Sequence, residues 1–160
     1  MKIYIIGPSG SGKTTLSKKL SKKYHTKAYE LDCIIYDDLD NHRKRTNQEV
    51  ELLFNQIIEK QNWIIEDVGR DKFHKGLEKA DRIYYLKIPK RIVMKRVIKR
   101  WIKQRLGKES YNYPPTLYQL YDMIRVANNY YKKEPEKIKI IMEYSKKVTF
   151  LTNKDLKSLD

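Results

Sequence analysis

Residues 7–14, Gly7-Pro8-Ser9-Gly10-Ser11-Gly12-Lys13-Thr14, match the spacing G-x-x-x-x-G-K-[ST]. Glycines at that spacing let a backbone curl until successive N–H groups point into one hollow, a shape that holds phosphate oxygens. Lys13 can reach the β- and γ-phosphates of a nucleoside triphosphate, and the Thr14 hydroxyl can ligate Mg²⁺. The expected nucleotide-binding set is Gly7, Ser9, Gly10, Ser11, Gly12, Lys13, Thr14 and Thr15, with Lys13 also catalytic and Thr14 also on the metal. The alternative is a Gly/Ser turn that happens to precede a helix.

Four further places carry groups that could take part in phosphate chemistry. Glu30-Leu31-Asp32 puts two carboxylates near the end of a short apolar stretch. Asp32 could orient or deprotonate an acceptor, or hold a water on Mg²⁺; it could equally be a turn aspartate or a helix cap. Glu30 lies one alternation back on the same side. Trp63-Ile64-Ile65 runs into Glu66-Asp67-Val68-Gly69-Arg70, the form of a buried strand ending in an acid that meets Mg²⁺, with Glu66 the first candidate and Asp67 the next. Arg70 falls just past that strand, where a phosphate on an acceptor could lie; a capped turn with a surface arginine is the plainer account. Arg96 and Arg100 are four apart on one helix, so they project side by side and suit a triphosphate. Arg125 is a weaker second arginine of the same kind. His25, His42 and His74 have no partner at metal-ligand spacing and read as solvated. Thr152-Asn153-Lys154-Asp155 resembles a guanine-reading N-K-x-D, but its fourth position is Leu156.

These residues need elements to position them. Met1–Ile6 is a short apolar run rich in β-branched residues, and Leu16, Leu20 and Tyr24 recur every four residues behind the glycine loop. That pattern predicts strand, loop, helix, which is the context the motif requires. Further strands are expected over 27–31, 63–66, 81–89 and 148–151, separated by helical patterns. Thr46-Asn47-Gln48-Glu49 reads as a capping box for a helix with Val50, Leu53, Phe54, Ile57 and Ile58 on one face. Residues 37–45 read as a charged flap. In the helix after Pro89, Val93, Met94, Val97, Ile98, Trp101 and Ile102 form the expected apolar face. Thr116 can cap a helix with Leu117, Leu120, Tyr121, Ile124 and Tyr131 inward. Pro135 suits the first turn of another, with Ile138, Ile141 and Met142 inward, and Asn153 is the expected cap of a terminal helix. Strand alternating with helix predicts a parallel sheet covered on both faces, with ligands outside the carboxyl ends of its strands.

At 160 residues the chain is expected to form a single domain over 1–160, with a helical lid or insert at about 101–135. No apolar run approaches the roughly 20 residues of a membrane span, and a strand leading into a phosphate loop does not read as a signal peptide. The single cysteine, Cys33, rules out an internal disulfide and reads as packing; a cytoplasmic location is expected. The net charge of +15 favours anionic partners. A general bias toward Lys, Tyr, Ile and Asn, with 13 tyrosines, accounts for much of that charge without any partner. Weak, non-specific nucleic-acid binding is the corresponding expectation. The sequence sets no oligomeric state.

The set Gly7–Thr14, Glu30-x-Asp32, Glu66–Arg70, Ile88-Pro89 and Arg96-x-x-x-Arg100 resembles the adenylate-kinase/shikimate-kinase group of small P-loop kinases. The phrases Tyr29-Glu30-Leu31-Asp32, Trp63-Ile64-Ile65-Glu66 and Ile98-Lys99-Arg100 are most similar to the bacterial topology-modulation proteins. The resemblance implies a three-layer α/β P-loop NTPase fold, nucleotide-kinase-like, with five parallel strands in order 2-3-1-4-5 and a helical lid. It implies ATP and Mg²⁺ as cofactors and transfer of the γ-phosphate to a small acceptor: a nucleoside, nucleotide or polyol. Alternatives are a DNA-binding protein with ATP as a switch, and a nucleotide hydrolase or sensor. By position, Glu66 corresponds to the acid of a D-G-x-P-R segment and Arg70 to its arginine, which holds an acceptor's phosphate. Arg96 would lie against adenine and Arg100 on the phosphates, both catalytic. Asp67 and Gly69 depart from that segment, and Asp67 adds a negative charge beside the acceptor.

Overall fold

The structure is a computed structural model that describes residues 1–37, 43–109 and 114–158, and the backbone but not the side chain of residue 157. Strand β1 (Lys2–Ile6) leads through the glycine loop into helix α1 (Lys13–Tyr24). There follow β2 (Ala28–Glu30), α2 (Leu31–Ile35), a ribbon of β3 (Tyr36–Asp37) and β4 (Arg43–Lys44), and α3 (Asn47–Ile58). Then come β5 (Trp63–Asp67), a 3₁₀ turn (Asp71–Phe73), α4 (His74–Lys79), β6 (Arg82–Leu86) and α5 (Lys90–Arg105). The chain closes with α6 (Leu117–Met142), a second 3₁₀ turn (Ser145–Lys147), β7 (Val148–Leu151) and α7 (Asn153–Ser158).

The main sheet has five strands in the order β2-β5-β1-β6-β7, all parallel. Counting only its strands, that is the expected 2-3-1-4-5 order of a P-loop NTPase, nucleotide-kinase-like core. Along β1 the side chains alternate between two apolar layers. Tyr4 and Ile6 join Trp63, Ile65, Ile83 and Tyr85 under helices α2, α3, α4 and the end of α6. Ile3 and Ile5 join Ile64 and Leu86 under α1 and α5, through Leu16, Leu20, Val93 and Val97. A sheet buried on both faces explains strands that are almost continuously apolar.

Several expected details are corrected. Residues 117–142 form one helix, and Pro135 lies inside it rather than at the start of a second. Tyr130 and Ile141 anchor both flanks in the core, and Pro135 falls on the exposed face, where a carbonyl deprived of its helical donor can turn to water. Leu117, Tyr121 and Met142, expected inward, are exposed, as are Ile98 and Ile102 of α5. Apolar periodicity identifies a face but not whether another layer covers it. Here α5 reaches the core through Val93 and Val97, and α6 through Ala127, Tyr130 and Ile141. Strand β5 continues through Asp67, so Glu66 and Asp67 are strand residues. Thr152, not Asn153, caps α7: its hydroxyl accepts from the N–H groups of Lys154 (3.3 Å) and Asp155 (3.5 Å). Cys33 is exposed on α2 instead of packed. Of the expected flap, residues 38–42 lie outside the described residues, His42 with them; Asp37 and Arg43–Lys44 form the ribbon.

Candidate active site

The glycine loop lies at the carboxyl end of β1, between the ends of β5 and β6. Gly10 and Gly12 have φ of +79° and +103°, a left-handed conformation that a side chain would strain, and these two turns give the loop its hollow. Gly12 is the N-cap of α1 and no side chain caps the helix, so the first N–H groups of α1 keep their capacity for an anion. Gly7 N–H donates to the Asp67 carbonyl (3.3 Å), tying the loop to β5. Lys13 arches back so that Nζ donates to the Pro8 carbonyl (3.0 Å). Burial pulls its pKa down, while Glu66, Asp67, Asp32 and Glu30 act in the opposite sense. Ser11 Oγ is buried and, among the described residues, has no hydrogen-bond partner.

Beside the loop lies a cavity of about 710 Å³, within the size range of small-molecule sites. Ser9, Gly10, Ser11, Gly12, Lys13, Thr14 and Thr15 line it, together with Glu30, Asp32, Glu66, Asp67, Arg96 and Arg100. Thr14 Oγ1 donates to Glu66 Oε2 (3.1 Å), and Ser17 Oγ donates to Glu66 Oε1 (3.2 Å). Glu66 is buried, and that burial raises its pKa, as does the neighbouring Glu30; Lys13 and the two hydroxyl donors oppose the rise.

Arg70 is adjacent to this cavity without lining it. Its two terminal nitrogens pair with Asp67 and with Asp32, and its backbone N–H donates to Asp67 Oδ2 (2.6 Å). Burial would lower the Arg70 pKa, but the Asp67 and Asp32 carboxylates outweigh it and raise it. Arg96 faces the back of the loop: Nη1 donates to the Ser11 carbonyl (2.8 Å) and Nη2 to Asn153 Oδ1 (2.7 Å). Arg100 is half exposed and pairs with Glu109 (3.4 Å). Arg125 does not line the cavity; it pairs with Asp122 of its own helix.

A family profile described as an AAA domain matches residues 3–113, well over half of the chain and all of the glycine loop. The chain belongs to this AAA domain family. Two solved structures share its fold. Shikimate kinase from Bacteroides thetaiotaomicron aligns with a TM-score of 0.57 at 17% identity, over 86% of this chain and 82% of that one. Shikimate kinase from Aquifex aeolicus aligns at 0.50 and 19% identity, over 83% of each chain. Among curated proteins, none matches this sequence.

Ser17, Asn153 and Leu156 are among the residues of the site that were not anticipated. Ser17 stands three positions after Thr14 on the same helical face, a spacing that the sequence displays. Asn153 holds Arg96 from the start of α7, 57 positions away, and no local pattern announces it. Leu156 of α7 also lines the cavity.

Proposed function

We propose that the chain is an Mg²⁺-ATP-dependent phosphotransferase acting on a small hydroxyl acceptor of the nucleoside, nucleotide or polyol kind, in the manner of the small P-loop kinases. The observation that carries this reading is one cavity holding both the uncapped loop-to-helix turn and the Asp32 carboxylate from the first turn of α2, just past the end of β2. A shared hollow of that kind fits two reactants held in line. The Gly10 and Gly12 turns and the free N–H groups of α1 fit a triphosphate. The Thr14 hydroxyl beside the Glu66 carboxylate offers the oxygen donors Mg²⁺ prefers. Among the described residues no group of three or more acids, histidines or cysteines is placed to hold a metal ion by itself. That matches an ion bound through few protein ligands, water and substrate phosphates.

Bound there, Mg²⁺-ATP would supply the transferable phosphoryl group. Lys13 would leave the Pro8 carbonyl to neutralise phosphate charge. Thr14 and Glu66 would hold the metal, with Ser17 fixing the Glu66 carboxylate. Asp32 would orient the acceptor hydroxyl and take its proton. Arg100, on a lid built from the end of α5 and the following helix, would close on the nucleotide, and Arg96, already bonded to the loop, would act from α5 beside it. Catalysis of this kind is mostly positioning and charge neutralisation. The reading includes a cytoplasmic location and the kinship with topology-modulation proteins that the sequence suggested. Titration of Mg²⁺-ATP, with ADP release measured across an acceptor panel, tests it. Lys13→Ala should lower turnover on the order of 10²-fold or more. Turnover at the wild-type rate in that variant overturns the assignment.

A further inference from the structure

We infer that the acceptor is a small hydroxyl compound bearing a positive charge, such as an amino-substituted sugar or cyclitol, and not a phosphorylated or carboxylated one; this rests on the phosphotransferase reading above. The cavity is lined by charges of opposite sign that come from different elements. Its cations are Lys13, Lys18 and Lys19 from the start of α1, and Arg96 and Arg100 from α5. All of these belong to the elements that carry the phosphate loop or face it. Its anions at the carboxyl edge of the sheet are Glu30, Asp32, Glu66 and Asp67, from the end of β2, the first turn of α2 and the end of β5. That edge is where an acceptor would sit opposite a triphosphate.

The one cation that a family resemblance assigns to an acceptor's phosphate is Arg70, and it is committed elsewhere. One terminal nitrogen pairs with Asp67 and the other with Asp32, and Asp67 also accepts from the Arg70 backbone N–H. The Asp67 side chain is fully buried (0% exposed). Turning Arg70 toward a substrate phosphate would leave that carboxylate buried without its partner, which is strongly unfavourable. Lys72 and Lys137 also feel Asp67, but neither lines the cavity, and Lys137 is bonded to the Gly69 carbonyl. A metal at Thr14 and Glu66 would compensate Glu66. With Lys13 engaged by the triphosphate, as in the reading above, Glu30, Asp32 and Asp67 would be left with Arg70 as the guanidinium bonded to them. An anionic acceptor enters this edge against repulsion, whereas an ammonium group replaces part of what Arg70 does and is attracted.

The test uses the full chain loaded with Mg²⁺-ADP and two charge series on fixed frames. One is glucose, glucosamine and glucose 6-phosphate; the other is myo-inositol with its amino-substituted and monophosphate counterparts. Calorimetric titration should rank the amino member at least tenfold tighter than the neutral one, with the phosphate member weakest. Asp32→Asn and Asp67→Asn should each erode that preference several-fold. Asp32 is half exposed, so its variant carries the test should Asp67→Asn not fold. The inference falls if the phosphate member binds best, if no amino member gains over its neutral frame (absence of all binding included), or if the preference survives substitution. Failure of Mg²⁺-ATP and Mg²⁺-ADP to bind would instead remove the phosphotransferase reading and take this inference with it. Nucleotide binding with the wrong charge order removes this inference alone.

Discussion

Asp32 has two jobs available to it, lining the cavity and pairing with Arg70, and they can be separated by kinetics. Asp32→Asn keeps the shape and a hydrogen-bond acceptor but removes the charge. If Asp32 receives the acceptor's proton, as proposed, the substitution should lower kcat by roughly 10²–10⁴-fold while Mg²⁺-ATP affinity changes little. Steady-state kinetics with an acceptor identified by screening provide the measurement; an unchanged kcat returns Asp32 to the role of a turn residue. At this scale the sequence was most informative where spacing alone dictates chemistry. Gly10, Gly12, Lys13 and Thr14 are readable because a short contiguous loop determines its own geometry. Arg70 was expected as an acceptor-side cation; its pairing with Asp67 and Asp32, which depends on two strands and a helix meeting, was not readable. The Arg96–Asn153 bond was not readable, since nothing local to either residue fixes it.

Helix α3 shows how a short pattern sets an element and makes it sensitive to pH. Thr46 Oγ1 accepts from Glu49 N–H (3.2 Å), and Glu49 Oε2 accepts from Thr46 N–H (2.7 Å), a reciprocal cap that the sequence had announced. Arg43 adds two hydrogen bonds to the same carboxylate (2.9 and 3.2 Å). The Arg43 and Thr46 bonds hold the Glu49 pKa down at about 2. Since the folded value is depressed, this stabilisation is present above the ordinary glutamate range near 4.5 and is lost as pH falls toward about 2. Melting temperatures of wild type and Glu49→Gln should therefore differ at pH 7 and converge near pH 2. A constant difference over that range would show that the charge plays no part. Thr46→Ala should cost roughly 0.5–2 kcal/mol at pH 7.

Gly76 of α4 tests the packing of another element against the sheet. A Cβ there would lie 2.6 Å from Tyr4 Cε2 and 3.0 Å from Phe54 Cζ, both rings buried in the core. Gly76→Ala gains about 1 kcal/mol in helix propensity. It should still destabilise the protein, because overpacking of a rigid core costs about 1–3 kcal/mol or more. Chemical denaturation measures the net effect, and a stabilised variant would mean that α4 shifts freely. The five strands of the main sheet were legible because period and composition fix them, whereas the β3–β4 ribbon, too short and polar to show a period, was not. The continuity of α6 was not, because the rule that proline starts helices was overridden by core anchors on both sides of Pro135.

At the scale of the whole molecule, the +15 charge asks whether nucleic acid is a partner. Much of the charge stands apart from the cavity. Lys90, Arg91, Lys95, Lys99, Lys103 and Arg105 are exposed along α5, whereas Arg96 and Arg100 of the same helix line the site. An exposed basic helix can contact phosphates, but nothing in its sequence supplies a pattern for reading base edges. Binding through phosphates alone gives a Kd of roughly 10⁻⁴–10⁻⁶ M at physiological salt and collapses as salt rises, because its driving force is counterion release. Duplex binding should accordingly be weak, indifferent to sequence and unchanged by Lys13→Ala, since Lys13 faces the loop interior. Lys95→Ala or Lys99→Ala should each lower the slope of log K against log salt by about 1. A salt series with and without Mg²⁺-ATP measures all of this. Tight binding that survives roughly 0.2 M salt and discriminates between duplex sequences would reverse the ranking of the two functions. A nucleotide-dependent change in duplex affinity, abolished by Lys13→Ala, would instead join them, making the loop a switch for the basic helix through the Arg96 contacts to Gly10 and Ser11.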